Sequence, residues 1–111
     1  AAYQNGTPWL EDLMIYLQEN RDYLKATLDR EMPEIKMTVP EGTYLAWLDC
    51  RDLNLPLPPQ KFFLERAKVA LNDGADFGEP GRGFVRLNFG CSRSTLTTAL
   101  ERMTLAIHSL K

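Results

Sequence analysis

Histidine and cysteine are nearly missing from this sequence. His108 stands alone, and Cys50 and Cys91 are the two thiols among 111 residues. One histidine gives no support to a histidine-rich metal site, nor to a hydrolase triad with a separate ordering residue. Two cysteines so far apart have neither the pattern of a disulfide framework nor the paired spacing of a zinc site. Reduced structural thiols in a cytoplasmic protein are therefore expected. Neither charge is in excess. Lys and Arg number 13 against 15 Asp and Glu, for a net charge of −2. With no basic cluster, that balance argues against a nucleic-acid partner or an anionic membrane surface. No apolar run is long enough to span a bilayer. Ala1-Ala2-Tyr3-Gln4-Asn5-Gly6 has neither a basic start nor an apolar stretch, so no signal peptide is expected. An initiator methionine is lacking too, and the chain opens abruptly beside a helix, as a fragment of a longer protein would.

Ready-made catalytic clusters are also absent. Residues 74–83 lack the G-x-G-x-x-G of a dinucleotide fold and the Gly-Lys-Ser/Thr ending of a nucleotide loop. Glu65, Glu79 and Glu101 fall on separate elements, so no acid–base carboxylate pair is evident. Lys25, Lys36, Lys61, Lys68 and Lys111 sit in solvated contexts, and none follows a small-residue loop that could bury an amine for Schiff-base work.

What is present is an ordinary globular composition. Apolar and charged fractions of 44% and 25% suit a soluble domain, and 111 residues suffice for one modest core. Residues 1–111 are expected to form a single domain. Thr7 and Pro8 signal a helix start, and Leu10, Leu13, Met14, Leu17, Leu24 and Leu28 recur at helical steps. This predicts one long amphipathic helix over residues 8–31, stopped by Pro33. Residues 35–39 and 43–49 alternate as strands about the breaker Pro40-Glu41-Gly42, which suggests a hairpin. A proline-rich loop leads to a short helix over 59–68, then an apolar strand over 69–72 and a turn at Asp73-Gly74. Four glycines and one proline in residues 74–83 mark a loop. A strand over 84–89 follows, and Ser92 is placed to cap a final helix with Leu96, Leu100, Met103, Ile107 and Leu110 on one stripe. The expected fold is α+β, a two-layer sandwich with a small, mostly antiparallel sheet and helices packed on one face. The leucine and methionine stripes are expected to be core.

One residue in this pattern points to chemistry. Alternation along Phe84-Val85-Arg86-Leu87-Asn88-Phe89 sends Phe84, Arg86 and Asn88 to one face and the apolar residues between them to the other. A guanidinium beside a phenylalanine, on a face that need not be fully solvated, is costly unless an anion meets it. Its planar fork of donors suits a carboxylate held by two parallel hydrogen bonds. A solvated sheet face or an ion pair with a neighbouring Asp or Glu would also account for it, and is the commoner outcome for such a pattern. Tyr44, Trp47 and Phe77 could line a pocket, though aromatics in such places more often belong to core or rim.

A resemblance adds to these residues. Pro40-Glu41-Gly42-Thr43-Tyr44-Leu45-Ala46-Trp47-Leu48-Asp49, then Phe62-Phe63-Leu64-Glu65 with Val69-Ala70-Leu71-Asn72-Asp73-Gly74, then Phe77-Gly78 with Gly81-Arg82-Gly83-Phe84-Val85-Arg86-Leu87-Asn88-Phe89 stand in family order. Together they resemble the C-terminal small domain of fold-type-I, class I/II aminotransferases, which use pyridoxal phosphate. Within that group, Asn20-Arg21-Asp22 and Tyr44 to Arg51 look like the cystathionine β-lyase branch, the MalY/PatB type. The resemblance implies that Arg86 binds the α-carboxylate of an amino-acid substrate and that Tyr44 faces the cleft. It also implies a bacterial enzyme, either a carbon–sulfur β-lyase or an aminotransferase, dimeric through a large domain. That large domain would carry the cofactor's lysine, its facing aspartate and its phosphate cup, none of which has a counterpart here. The chain alone is thus expected to bind no cofactor and to be inactive. The contrasting expectation is a stand-alone α+β module that binds an amino acid or a protein without catalysis.

Overall fold

A proline stands at each end of the first helix. In the computed structural model, which describes residues 8–39, 44–78 and 81–110 (the side chains of 8–10, 75 and 77 excepted), helix α1 runs Pro8–Glu31. It ends just before Pro33, whose ring disfavours helical backbone in the residue preceding it. The Thr7 cap, the breaker at residues 40–42 and residue 43 of the second expected strand lie outside the described residues, as does the Phe77 side chain. Strand β1 (Lys36–Thr38) pairs antiparallel with β2 (Leu45–Asp49), which pairs antiparallel with β4 (Phe84–Asn88). The short β3 (Asn72–Asp73) closes the other edge against β4, giving the order β1-β2-β4-β3. Between β2 and β3 lies the four-residue helix α2 (Pro59–Phe62), and after β4 comes helix α3 (Arg93–His108). The result is the expected α+β arrangement.

Burial alternates along the two central strands. Ala46, Leu48, Val85 and Leu87 are buried, and Phe89 just past β4 is buried with them. They meet Leu24 and Leu28 of α1, Met32 just past its end, Phe62 and Phe63, and Leu96, Leu100, Met103 and Ile107 of α3. Phe62 and Phe63 pack edge to face, 5.4 Å between ring centroids, a favoured aromatic geometry. The helices therefore cover one face of the sheet. The other face, bearing Leu45, Trp47, Asp49, Phe84 and Arg86, is only half-buried.

Three expectations need correction. The helix over 59–68 is α-helical only to Phe62 and continues as a π-helical turn, Phe63–Ala67, closed by Lys68 at φ 59°. That left-handed cap sends Val69 N–H back to the Phe63 carbonyl at 3.0 Å. Residues 69–71 are thus drawn to the helix end instead of to β4, and pairing starts only at Asn72 opposite Arg86. Asp73 is therefore part of β3, and the turn begins at Gly74, in a 3-10 segment Gly74–Phe77. Lastly, the stripes are core in part only. Leu13, Met14 and Ile15 are exposed (37, 61 and 54%), and so is Leu110 (41%). Residues 11–16 in the first half of α1 are all exposed, and Leu110 lies beyond the end of α3.

Candidate functional site around Arg86

β4 leaves a tight glycine turn. Gly83 takes φ 89°, a conformation that side-chain-bearing residues rarely adopt, and a Cβ there would meet Arg51 Cγ at 2.6 Å. Arg51 fills that space. Its guanidinium lies 5.1 Å from the Phe84 ring centroid and grips Asp49 through two hydrogen bonds, Nε to Oδ1 at 2.9 Å and Nη2 to Oδ2 at 2.8 Å. Those hydrogen bonds hold the Asp49 carboxyl below its usual pKa. Asp49 lies opposite Phe84, and Trp47 opposite Arg86, in the β2–β4 register. The half-buried face thus carries, in neighbouring pairs, a neutralised Asp49–Arg51 clamp over Phe84, and then Arg86 between Trp47 and Asn72.

Arg86 is half-buried, and its Nε is closed off from solvent. It lines a groove of about 600 Å³, to which Lys68, Asn72, Asn88, Thr98 and Arg102 also contribute. The groove opens where residues 69–71 diverge from β4. A basic, partly desolvated groove of that size can take a small carboxylate-bearing molecule, since low dielectric strengthens a charge-assisted contact.

Tyr44 stands elsewhere. Its carbonyl accepts from Phe89 N–H at 2.9 Å, so it lies opposite Phe89, three residues beyond Arg86 along β4. At ~3.3 Å per residue that is about 10 Å. Its ring is half-exposed (49%) and rests against Gly90, where a Cβ would meet ring carbons at 3.1 Å. Trp47 is half-buried on the Arg86 face. The structure therefore brings Trp47 and Arg86 into register and places Tyr44 three residues further along the β2–β4 pair. Among the described residues no group of His, Cys, Asp and Glu could hold a metal ion.

Sequence reasoning passed over Asn20 as chemistry. It is fully buried in α1, and its amide donates to the carbonyls of Phe89 at 3.0 Å and Cys91 at 2.9 Å, while Arg93 Nε donates to its oxygen at 3.0 Å. The available signal was an uncharged polar residue at helical spacing from Leu24 and Leu28. The thiols behave as expected of structural cysteines. Cys50 is buried, and desolvation pushes its pKa up to about 12; Cys91 is half-buried.

Comparison with known proteins follows the same lines. Residues 1–103 match the family described as aminotransferase class I and II. Protein MalY of Escherichia coli is 46% identical over 112 residues, spanning 100% of this chain and 29% of that protein. Cystathionine β-lyase PatB of Bacillus subtilis is 41% identical over 108 residues, spanning 96% and 28%. The structure of cystalysin from Treponema denticola, which contains pyridoxal 5'-phosphate, superimposes with a TM-score of 0.86 at 31% identity over 99% of this chain and 28% of that one. The chain thus spans well under a third of the length of the relatives it matches.

Proposed function

The chain belongs to the class I and II aminotransferase family, and we propose that it serves as the C-terminal small domain of a longer, pyridoxal-phosphate-dependent carbon–sulfur β-lyase or aminotransferase. In that role Arg86 binds the α-carboxylate of the amino-acid substrate. The observation that carries this reading is a half-buried arginine, on the sheet face opposite the helices, beside a groove that opens between β4, residues 68–72 and α3. Two parallel hydrogen bonds to a carboxylate would hold the substrate's α-carbon in a fixed orientation, and orientation is much of what a protein adds to cofactor chemistry. Pyridoxal phosphate, when bound, supplies the electron sink.

The described residues do not themselves fit that cofactor. Lys25, Lys36, Lys61 and Lys68 are all exposed. Lys25 is engaged by Asp29 at 2.8 Å, and Lys36 donates to the Pro33 carbonyl at 3.2 Å. We therefore assign the cofactor's lysine, and the surface of a homodimer, to the remaining part of the longer protein. The exposed Leu13, Met14 and Ile15 of α1 suit a surface that this part covers. Free thiols at Cys50 and Cys91 agree with a cytoplasmic setting, and no helix among the described residues is long and apolar enough to cross a membrane.

In the full-length enzyme, Arg86→Ala should lower kcat/KM tenfold or more, since losing a paired charged contact costs on the order of 1.5–3 kcal/mol. Arg86→Lys should recover part of it as a point charge. Unchanged kcat/KM in both variants would remove the assignment. The 111-residue chain, mixed with pyridoxal phosphate and borohydride, should give no specific adduct at one lysine; a single trapped lysine would contradict its inactivity alone.

A further inference from the structure

Three residues of α1, Tyr16, Asn20 and Tyr23, share one helix face at steps of four and three. Tyr16 and Asn20 reach the segment that leaves the arginine strand, and Tyr23 reaches the first turns of α3 that follow it. Tyr16 Oη donates to the Cys91 carbonyl at 2.7 Å. Asn20 donates to the carbonyls of both Phe89 and Cys91, bracketing Gly90, and accepts from Arg93. The Arg93 guanidinium lies 4.4 Å from the Tyr23 ring centroid, and Tyr23 Oη is 2.9 Å from Thr97 Oγ1. The amide orientation at Asn20 is dictated by its partners, since two carbonyls require its N–H groups and a guanidinium requires its oxygen. Within the turn, Gly90 N–H donates to Asn88 Oδ1 at 2.7 Å, and Ser92 Oγ accepts from Thr95 N–H at 3.2 Å.

From these contacts we infer that Asn20 is a positioning residue for Arg86: it fixes the arginine strand along its own axis relative to α1. The inference rests on the carboxylate reading above. The β2–β4 register locks the strands to one another but says nothing of where they stand against the helix. Apolar contacts from Leu24 and Leu28 hold the layers together without setting that position, because dispersion contacts are non-directional. Hydrogen bonds to two carbonyls, three and five residues past Arg86, are directional. Their other end is a helix whose first half exposes Leu13, Met14 and Ile15. Displacement of α1 would thus carry Arg86 with it.

The test is a double-mutant cycle in the full-length enzyme, with Asn20→Asp and Tyr16→Phe each made in the Arg86 and Arg86→Ala backgrounds. Asn20→Asp keeps the volume and the acceptor for Arg93 but loses both donors. Tyr16→Phe loses one hydroxyl and keeps the ring, so it reports even where Asn20→Asp does not fold. With Arg86 present, Asn20→Asp should lower kcat/KM about tenfold and Tyr16→Phe about threefold, mostly through KM; with Arg86→Ala each loss should shrink to about twofold or less. Equal losses in the two backgrounds, or losses confined to kcat, would overturn the inference alone. An Arg86→Ala enzyme with unchanged kcat/KM would overturn the carboxylate reading and this inference with it.

Discussion

Burial sorts the two thiols. Cys50 is 2% exposed, and its pKa is pushed up to about 12 by desolvation, so its reactive thiolate is scarce near neutrality. Alkylation of the folded chain at about pH 8 should modify Cys91 first, with Cys50 labelled only after unfolding; peptide mass mapping checks the order, and equal labelling would refute it. Asp49 offers a pH test. Its pKa is lowered by Arg51, so the pair's stabilisation is present above the ordinary carboxylate value of 3.8 and fades as pH falls through the lower folded value. Arg51 is largely exposed (64%), so solvent screens the pair and its effect is small. Wild type and Asp49→Asn should differ slightly in Tm near neutrality and converge in strong acid. A gap that widened on acidification would contradict the assignment.

At the scale of elements, α1 has two halves of different character. Leu24 is fully buried, whereas Met14 is 61% exposed. Leu24→Ala should destabilise the chain by about 2–5 kcal/mol, and Met14→Ser by about 0.5 kcal/mol or less, as read from denaturant midpoints. Similar costs would mean that the exposed half is packed after all. This helix also marks how far the sequence was informative. Its span was legible because Pro8 and Pro33 bracket a strong apolar period, and α3 was legible from Ser92 and its stripe. Period alone does not say which turns find a partner, so the exposure of Leu13 and Met14 was hidden. The β3 boundary was hidden for another reason: Val69, Ala70 and Leu71 have strand-like apolar character, but the left-handed Lys68 diverts them. Arg86 stood out because a charge in an apolar strand breaks the local pattern. Asn20 did not, since an amide amid helical polar residues is unremarked until the carbonyls of a distant turn arrive against it.

The molecule as a whole is longer than its core requires. Its extents are 53 × 29 × 21 Å and its radius of gyration 15.3 Å, against about 13 Å for a compact domain of ~100 residues. The exposed first turns of α1 carry the apolar surface that the remaining part of a longer enzyme is proposed to cover. On that view the domain contributes geometry to the reaction: a sheet face, a groove and one arginine held at a set distance from a helix whose first turns are exposed. The most direct measurement compares kcat/KM of the full-length enzyme and its Arg86→Ala variant on an amino-acid substrate and on the same molecule without its α-carboxylate. The variant should lose tenfold or more on the amino acid and about nothing on the decarboxylated analogue. Equal losses on both, or none on either, would contradict the role assigned to Arg86.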